Sequence, residues 1–504
     1  MNGMSAQTRK ATWFGFLLAA ACTTFGATNP DCPKVTQAAP PVFDPQPWLD
    51  DLEEARRAFS TKYAGLEWEV FGRDHDIAAS FATARERILR AHDEWDARVA
   101  FGRLVNSFGD RHVQITWPAA STVSNELPAK GFSCETLGYS QDMQAKPLVA
   151  LLPGFKPIDL LPADNAFPTG LLLREGRMIG VIKIPIFTSR GFPALCESAI
   201  QSLKIDRTKE CDHACEEKIA LFGYGIMTEQ LEAAVRAVEH AGATTLIVDI
   251  AGNGGGSEWE GAASRMLTPI RLEAIPNYFM RGALWTRHWS GLEGELRDAE
   301  RKARGKDKEL LGHFVELVEE RKTEAETPCD ASPLWEGKHP ACAFLGDAFF
   351  TTGFLSSADP ETLRAKPWAS LIFSPMQYPY HEGVWRGPLV VVVDGGTGSA
   401  AENFAAELQD NHAAVIIGSP TVGGGGGHTD ERAPTKLTHT GGILDLPDCL
   451  RVRRNGMNLS FGVQPDILVG WRSNDPPKRQ VHLLDQKLDD ALHAFHDVKN
   501  LGRE

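Results

Sequence analysis

The sequence predicts an α/β fold, a mostly parallel sheet covered by helices and preceded by an N-terminal helical bundle. Three observations carry that expectation. Short, uniformly apolar runs recur at Leu246–Ile250, Leu389–Val393 and Ala414–Ile417, the pattern of strands buried on both faces. Helix-period segments alternate with them, as at Thr228–His240, where Leu231, Val235 and Val238 share one face, and this is the β-α-β alternation of a covered parallel sheet. The chain has 504 residues, 42% hydrophobic and 23% charged, enough for two or three domains and a large core.

Taken in order, residues 1–27 read as a signal peptide: Arg9-Lys10 precedes an apolar stretch from Trp13 to Ala21 that is too short to span a bilayer. A cut near Ala27 releases a soluble protein, periplasmic or extracellular. Lipidation at Cys22, behind a poor lipobox, is the competing outcome and the only membrane attachment the sequence suggests. Residues 28–45 are a Pro/Ala-rich linker. Residues 46–116 read as a helical domain, with Phe81, Ile88, Trp95 and Val99 near the helical period and Arg85, Glu86 and Arg87 opposite. Residues 117–176 form a mixed, proline-containing segment, and residues 177–474 form the core, opening on a strand at Gly180–Phe187. A charged insertion at 291–326 is a helix with Leu310, Leu311, Phe314, Leu317 and Val318 along one stripe. Residues 475–504 close the chain as a helix or tail.

A net charge of -14 argues against nucleic acid or an anionic membrane surface as a partner. Eight cysteines remain beyond Cys22: Cys32, Cys134, Cys196, Cys211, Cys215, Cys329, Cys342 and Cys449. In an exported chain this even set reads as a closed disulfide framework without free thiols, Cys329 with Cys342 first and Cys196 with Cys211 or Cys215 next. Zinc at Cys211 and Cys215 finds no second ligand pair, so neither a metal nor a cofactor is expected.

The most reactive-looking segment is Gly395-Gly396-Thr397-Gly398-Ser399-Ala400-Ala401-Glu402, directly after the apolar run Leu389–Val393. A strand, glycines, a serine and then helix formers describe a sharp strand-to-helix elbow that exposes the Ser399 hydroxyl and points the following helix N–H groups at an attacked carbonyl. The same pattern also occurs as a purely structural turn. Asn253-Gly254-Gly255-Gly256 has neither the spacing of a dinucleotide loop nor the Gly-Lys-Ser/Thr ending of a phosphate loop. The run Gly423 to Gly427 lacks them too and reads as a loop beside the site.

These segments resemble the C-terminal processing, or tail-specific, serine peptidase family. The residues that carry the resemblance are Gly387 to Pro420, Thr245 to Gly256, Gly462-Val463-Gln464-Pro465-Asp466-Ile467 and Gly180 to Phe187, in family order. The resemblance implies a ClpP/crotonase-like core and hydrolysis of a peptide or protein substrate. The family's processing branch activates its serine with a lysine at a position that is Gly424 here. Its other branch, with the tricorn core, the chlamydial secreted protease and the interphotoreceptor retinoid-binding protein, takes a histidine from an Asp-x-His segment, matched by Asp110-Arg111-His112. The resemblance therefore implies Ser399 as nucleophile, His112 as base, and Ala400 and Gly255 as oxyanion donors; His428, at the end of the Gly423 to Gly427 run, is a second-choice base. An imidazole of ordinary pKa, near ~6.5, suits that proton traffic at neutral pH. The branch's orienting glutamate has no counterpart in Asn458-Leu459-Ser460-Phe461. Asn458, Ser460, Asp445 and Asp448 are the substitutes the sequence offers, with Asp430 and Glu431 nearby. Many relatives insert a PDZ domain where residues 117–176 lie, but neither its carboxylate-binding loop nor room for it is recognisable. The alternative reading is a non-catalytic protein that keeps the cleft and binds a hydrophobic ligand or peptide.

Overall fold

The computed structural model describes residues 43–118, 131–160, 165–424, 426–429, 432–472 and 474–501. The expectations for the signal peptide, Cys22, Cys32, Asp430 and Glu431 lie outside the described residues.

Four helices come first: α1 (Gln46–Lys62), α2 (Leu66–Gly72), α3 (Ile77–Leu89) and α4 (Glu94–Val105). In α1 the spacing of Trp48, Leu52, Ala55 and Phe59 puts one apolar stripe inside. Asp76 and Asp93 cap α3 and α4, each accepting the N–H three residues on. The break at Arg90–Asp93 resets the helical phase. Trp95, expected on the inner face, is therefore 71% exposed, and Ala97, Ala100, Phe101 and Leu104 are buried instead.

The chain continues through β1 (Gln114–Thr116), β2 (Phe155–Pro157), β3 (Thr169–Arg174) and β4 (Arg177–Lys183). Helices α5 (Pro193–Ser202) and α6 (His213–His240) lead to β5 (Thr245–Asp249), α7 (Trp259–Met266) and β6 (Pro276–Met280). The charged insertion is two helices rather than one, α8 (Ala283–Lys302) and α9 (Lys306–Ala325), broken at Gly305. After β7 (Leu345–Phe350) and the short α10 (Pro360–Leu363) and α11 (Ala369–Ile372) come β8 (Leu389–Val393), α12 (Ala400–Asp410) and β9 (Val415–Gly418). The remaining elements are β10 (Gly426–Gly427), β11 (Thr435–Lys436), β12 (Ile443–Asp445), β13 (Cys449–Arg451), β14 (Ile467–Leu468) and α13 (Pro477–Leu501).

A seven-stranded sheet in the order β14-β9-β8-β5-β4-β3-β2 forms the centre, parallel from β14 to β4 and antiparallel beyond. Strand β8 explains its own composition. Leu389, Val391 and Val393 pack with α6, α7 and α12 on one face, and Val390 and Val392 pack with Leu484 and Leu488 of α13 on the other. Both faces are covered, so no polar alternation is tolerated, and each such side chain contributes about 1.5–3 kcal/mol of burial. The expected strand to Phe187 stops at Lys183, before Pro185, and the expected helix at Thr228 is the second half of the longer α6. Two further sheets, β10-β13-β6-β7 and β1-β12-β11, sit outside the central one; their strands are as short as two residues.

Disulfides join Cys134–Cys196, Cys211–Cys215 and Cys329–Cys342. The Cys329–Cys342 expectation holds. Cys196 takes Cys134 instead, since the four-residue spacing across the start of α6 lets Cys211 and Cys215 pair with each other. The expectation of no free thiol fails at Cys449, which is buried and unbridged. No helix among the described residues is long and apolar enough to cross a membrane.

Candidate active site

Parallel strands β5 and β8 end side by side, and the chain leaves each through a glycine turn. The two turns are laced together. Gly398 N–H donates to Asn253 O (3.0 Å), the Thr397 hydroxyl to Ile250 O (3.0 Å) and Gly252 N–H to the Asp394 carboxylate (2.6 Å). Ser399 then begins α12 with φ 53° and ψ -123°, a left-handed conformation costing a non-glycine residue about 1–3 kcal/mol. The lacing holds that strain. Gly255 has φ +105°, and a Cβ there would lie 2.7 Å from Ser399 Cβ and 2.8 Å from Ala400 N. Only glycine lets this loop rest against the elbow.

Ala400 N–H belongs to the first turn of α12, where no intrahelical carbonyl is available to it. Gly255 N–H donates to Asn253 Oδ1 (2.9 Å). Phe187 bonds the Gly255 carbonyl and the Ser257 N–H, which leaves the exposed Gly256 N–H between them facing the other way.

His112 arrives from the helical region 287 residues upstream, and its Nε2 lies 3.1 Å from Ser399 Oγ. Aromatic packing fixes that reach. Phe108 stacks on Phe59 (4.3 Å between centroids) and meets Tyr63 edge-on, and Trp117, on the far side, packs against Trp48 (5.3 Å). Between these anchors β1 pairs with β12, setting Gln114 opposite Asp445. Asp110, itself buried, accepts the His112 backbone N–H (2.9 Å) and keeps Oδ1 3.5 Å from the ring Nδ1. That ring nitrogen has no hydrogen-bond partner, so the Asp110 approach is an electrostatic contact and not a hydrogen bond.

Glu402, fully buried one turn into α12, organises the far wall. It accepts Ser399 N–H (3.1 Å) and Gly424 N–H (2.7 Å) on Oε2, and the Thr421 hydroxyl (2.5 Å) and Gly423 N–H (2.7 Å) on Oε1. Burial raises its pKa above the usual carboxylate value, and these four donors partly offset the rise. A Cβ on Gly424 would stand 2.9 Å from His112 Cε1 and 3.0 Å from Glu402 Oε2. The absent side chain at 424 is thus the space the imidazole occupies. His428 packs perpendicular to His112 at 5.5 Å; burial first, and then the His112 charge, lower its pKa to about 3, so the ring is neutral.

Ser399, His112, Ala400 and Gly255 therefore meet at one place. The four suggested orienting residues do not hydrogen-bond to His112. Asn458 Oδ1 takes the Ser460 N–H (2.9 Å), and the Ser460 hydroxyl is buried without a partner. Asp445 pairs with Arg432 and lies 3.7 Å from His428 Nδ1. Asp448 accepts Thr429 N–H (3.2 Å), and burial pushes its pKa up to about 7. The sequence reading passed over Glu402, although Ser399-Ala400-Ala401-Glu402 is a capping-box pattern, and it gave Asp110 no role, although Asp-x-His favours a local side-chain turn. Among the described residues no cluster of His, Cys, Asp and Glu has the arrangement of a metal site.

Residues 307–469 match peptidase family S41. A protein of Chlamydia pneumoniae is 33% identical over 169 residues, 32% of this chain and 26% of that protein, so the match spans about a quarter of that relative's length. Among solved structures, mature CPAF superposes with a TM-score of 0.55 at 14% identity, covering 88% of this chain and 96% of that one. The complex of mature CPAF with lactacystin gives 0.52 at 14% identity, covering 88% and 97%. At such identity the likeness is one of fold. The family match at 307–469, set in that shared fold, supports a tail-specific-protease-like family for this chain.

Proposed function

We propose that this protein is a serine-type peptidase working through Ser399 and His112. The observation that carries the reading is the 3.1 Å approach of His112 Nε2 to the hydroxyl of a strained elbow serine. In the proposed reaction Ser399 Oγ attacks a peptide carbonyl as His112 takes its proton. The oxyanion rests on Ala400 N–H and on the glycine loop, where Gly255 exchanges its bond to Asn253 or Gly256 donates in its place. Collapse expels the amine, which receives the proton from His112, and water, activated by the same ring, releases the acyl group. Asp110 and Glu402 position the base and the elbow, the role first sought at Asn458, Ser460, Asp445 or Asp448.

Substrates are peptides or proteins, and the protein works outside the cytoplasm, in the periplasm or beyond the cell. Three disulfides and the basic-then-apolar N-terminal segment support that location. Incubation with a fluorophosphonate probe and mapping of the labelled peptide test the chemistry. Labelling at Ser399 together with hydrolysis of a casein substrate is the expected result. A folded protein that neither labels nor hydrolyses is a ligand-binding relative instead.

A further inference from the structure

Behind the nucleophile, four elements bring buried polar groups together and leave them unpaired. Asn403 lies one helical turn beyond Ser399, on the same face of α12. It donates to Glu260 Oε1 of α7 (2.8 Å), but its own Oδ1 and Glu260 Oε2 have no partner, and the two residues are only 2% and 6% exposed. Arg451 of β13, whose charge acts on Glu260, leaves Nε and Nη1 buried and unbonded and forms no ion pair among the described residues. Its guanidinium lies against Gly427, where a Cβ would meet Nη2 at 2.8 Å, so the glycine before His428 makes room for it. Asn277, directly opposite Arg451 in the β6–β13 ladder, has an unpaired Oδ1 as well. Buried polar atoms are nearly always paired, and a cluster of exceptions beside a reactive serine marks where a ligand completes the set.

Resting on the peptidase reading, we propose that Arg451, Asn403 and Glu260 form the pocket for the substrate side chain on the acyl side of the scissile bond, and that this side chain is acidic. Arg451 is a permanent cation with free donors. Glu260, on which the Arg451 charge acts, is held neutral by burial, which pushes its pKa up to about 8. Arg451, Asn403 and Glu260 together are therefore net positive at neutral pH, and the protonated carboxyl can donate to an incoming oxygen. An apolar side chain would leave these donors unsatisfied, and a cationic one would meet Arg451.

Fluorogenic peptides differing only at that position (Glu, Asp, Gln, Leu, Lys) test the proposal by kcat/KM, after fluorophosphonate labelling has established that Ser399 is reactive. Wild-type protein should prefer Glu over Leu by at least about tenfold, and Lys should be poorest. Arg451→Gln should cut the Glu-to-Leu ratio about tenfold or more, and Arg451→Lys should restore part of it. The ratio is read within one protein, so partial loss of folded material does not disturb it, and Arg451→Lys serves if the glutamine variant fails to fold. Equal cleavage of Leu and Glu peptides by a labelled wild-type protein, or an unchanged ratio in Arg451→Gln, overturns the pocket and leaves the peptidase reading standing. A protein that neither labels nor cuts any peptide removes both.

Discussion

The nucleophile and its base are built in opposite ways. The elbow is local: β8, the glycine turn, Ser399 and Glu402 lie within fourteen residues, Leu389 to Glu402. The base is assembled at long range. His112 hangs between Phe108 and Trp117, closes on a wall made of Thr421, Gly423 and Gly424, and shares its pocket with His428. The elbow is secured by backbone geometry and hydrogen bonds, whereas the base depends on packing between segments hundreds of residues apart. Damage to the first should remove chemistry outright, and damage to the second should misplace it by degrees.

The largest effects fall on the two reacting groups. Ser399→Ala should abolish probe labelling and lower kcat/KM on the order of 10⁴-fold or more, with thermal unfolding little changed. His112→Ala should approach the same loss because the two residues act as a unit. His428→Ala, by contrast, should cost no more than about 10²-fold, the effect of a displaced base. Equal losses in the two histidine variants would make the assignment of the base wrong.

The wall between the regions comes next. Gly424→Ala inserts a methyl into the imidazole's space, 2.9 Å from Cε1, and should lower kcat about 10- to 100-fold while KM changes little. Glu402→Gln turns an acceptor of N–H groups into a donor facing them. It should cost about 1–3 kcal/mol in denaturant unfolding and slow labelling as the elbow loosens. If Gly424→Ala keeps full activity, the base has slack that the packing denies.

How much of this was legible follows the same division. The apolar runs of β5, β8 and β9, the Ser399 elbow and the glycine loop are contiguous segments with a period or a punctuation of their own, and they read directly. His112 was reachable only through a family resemblance, since a histidine 287 residues from its partner carries no local signal. The two-residue β10 and three-residue β13 have no periodicity to detect, so the sheet presenting Arg451 was invisible. The Cys134–Cys196 pairing, 62 residues apart, likewise depends on three-dimensional proximity.

Buried carboxyls give a smaller effect with a defined sign. Burial pushes Glu260 up to about 8 from 4.5, so the folded state holds its proton more tightly than the unfolded chain. The stability this lends is complete below about pH 4.5 and is lost as pH rises through 8. Glu260→Gln imitates the protonated form. Its melting temperature should match wild type near pH 5 and exceed it increasingly toward pH 9, with Asp448, raised to about 7, still contributing in both proteins. His428 acts in the other direction, its stability present above pH 6.5 and lost on acidification toward 3. A Glu260→Gln difference that does not change with pH would mean that this carboxyl is ionised in the folded state.

The smallest expected effect concerns Cys449, which sits on β13 two residues before Arg451, walled in by Gly427 and 4% exposed. Burial pushes its thiol pKa up to about 12, so the nucleophilic thiolate is essentially absent at neutral pH. Iodoacetamide should leave Cys449 unmodified in the native protein and alkylate it rapidly once denaturant opens the core without reductant. The six bridged cysteines should stay protected throughout. Cys449→Ala should cost no more than about 1 kcal/mol, because the thiol supplies packing and no bridge. Peptide mapping of unreduced protein decides the matter. Cys449 in a disulfide would mean that β13 opens far enough to offer its sulfur to a partner, and the rigid strand that holds Arg451 behind the nucleophile would no longer be tenable.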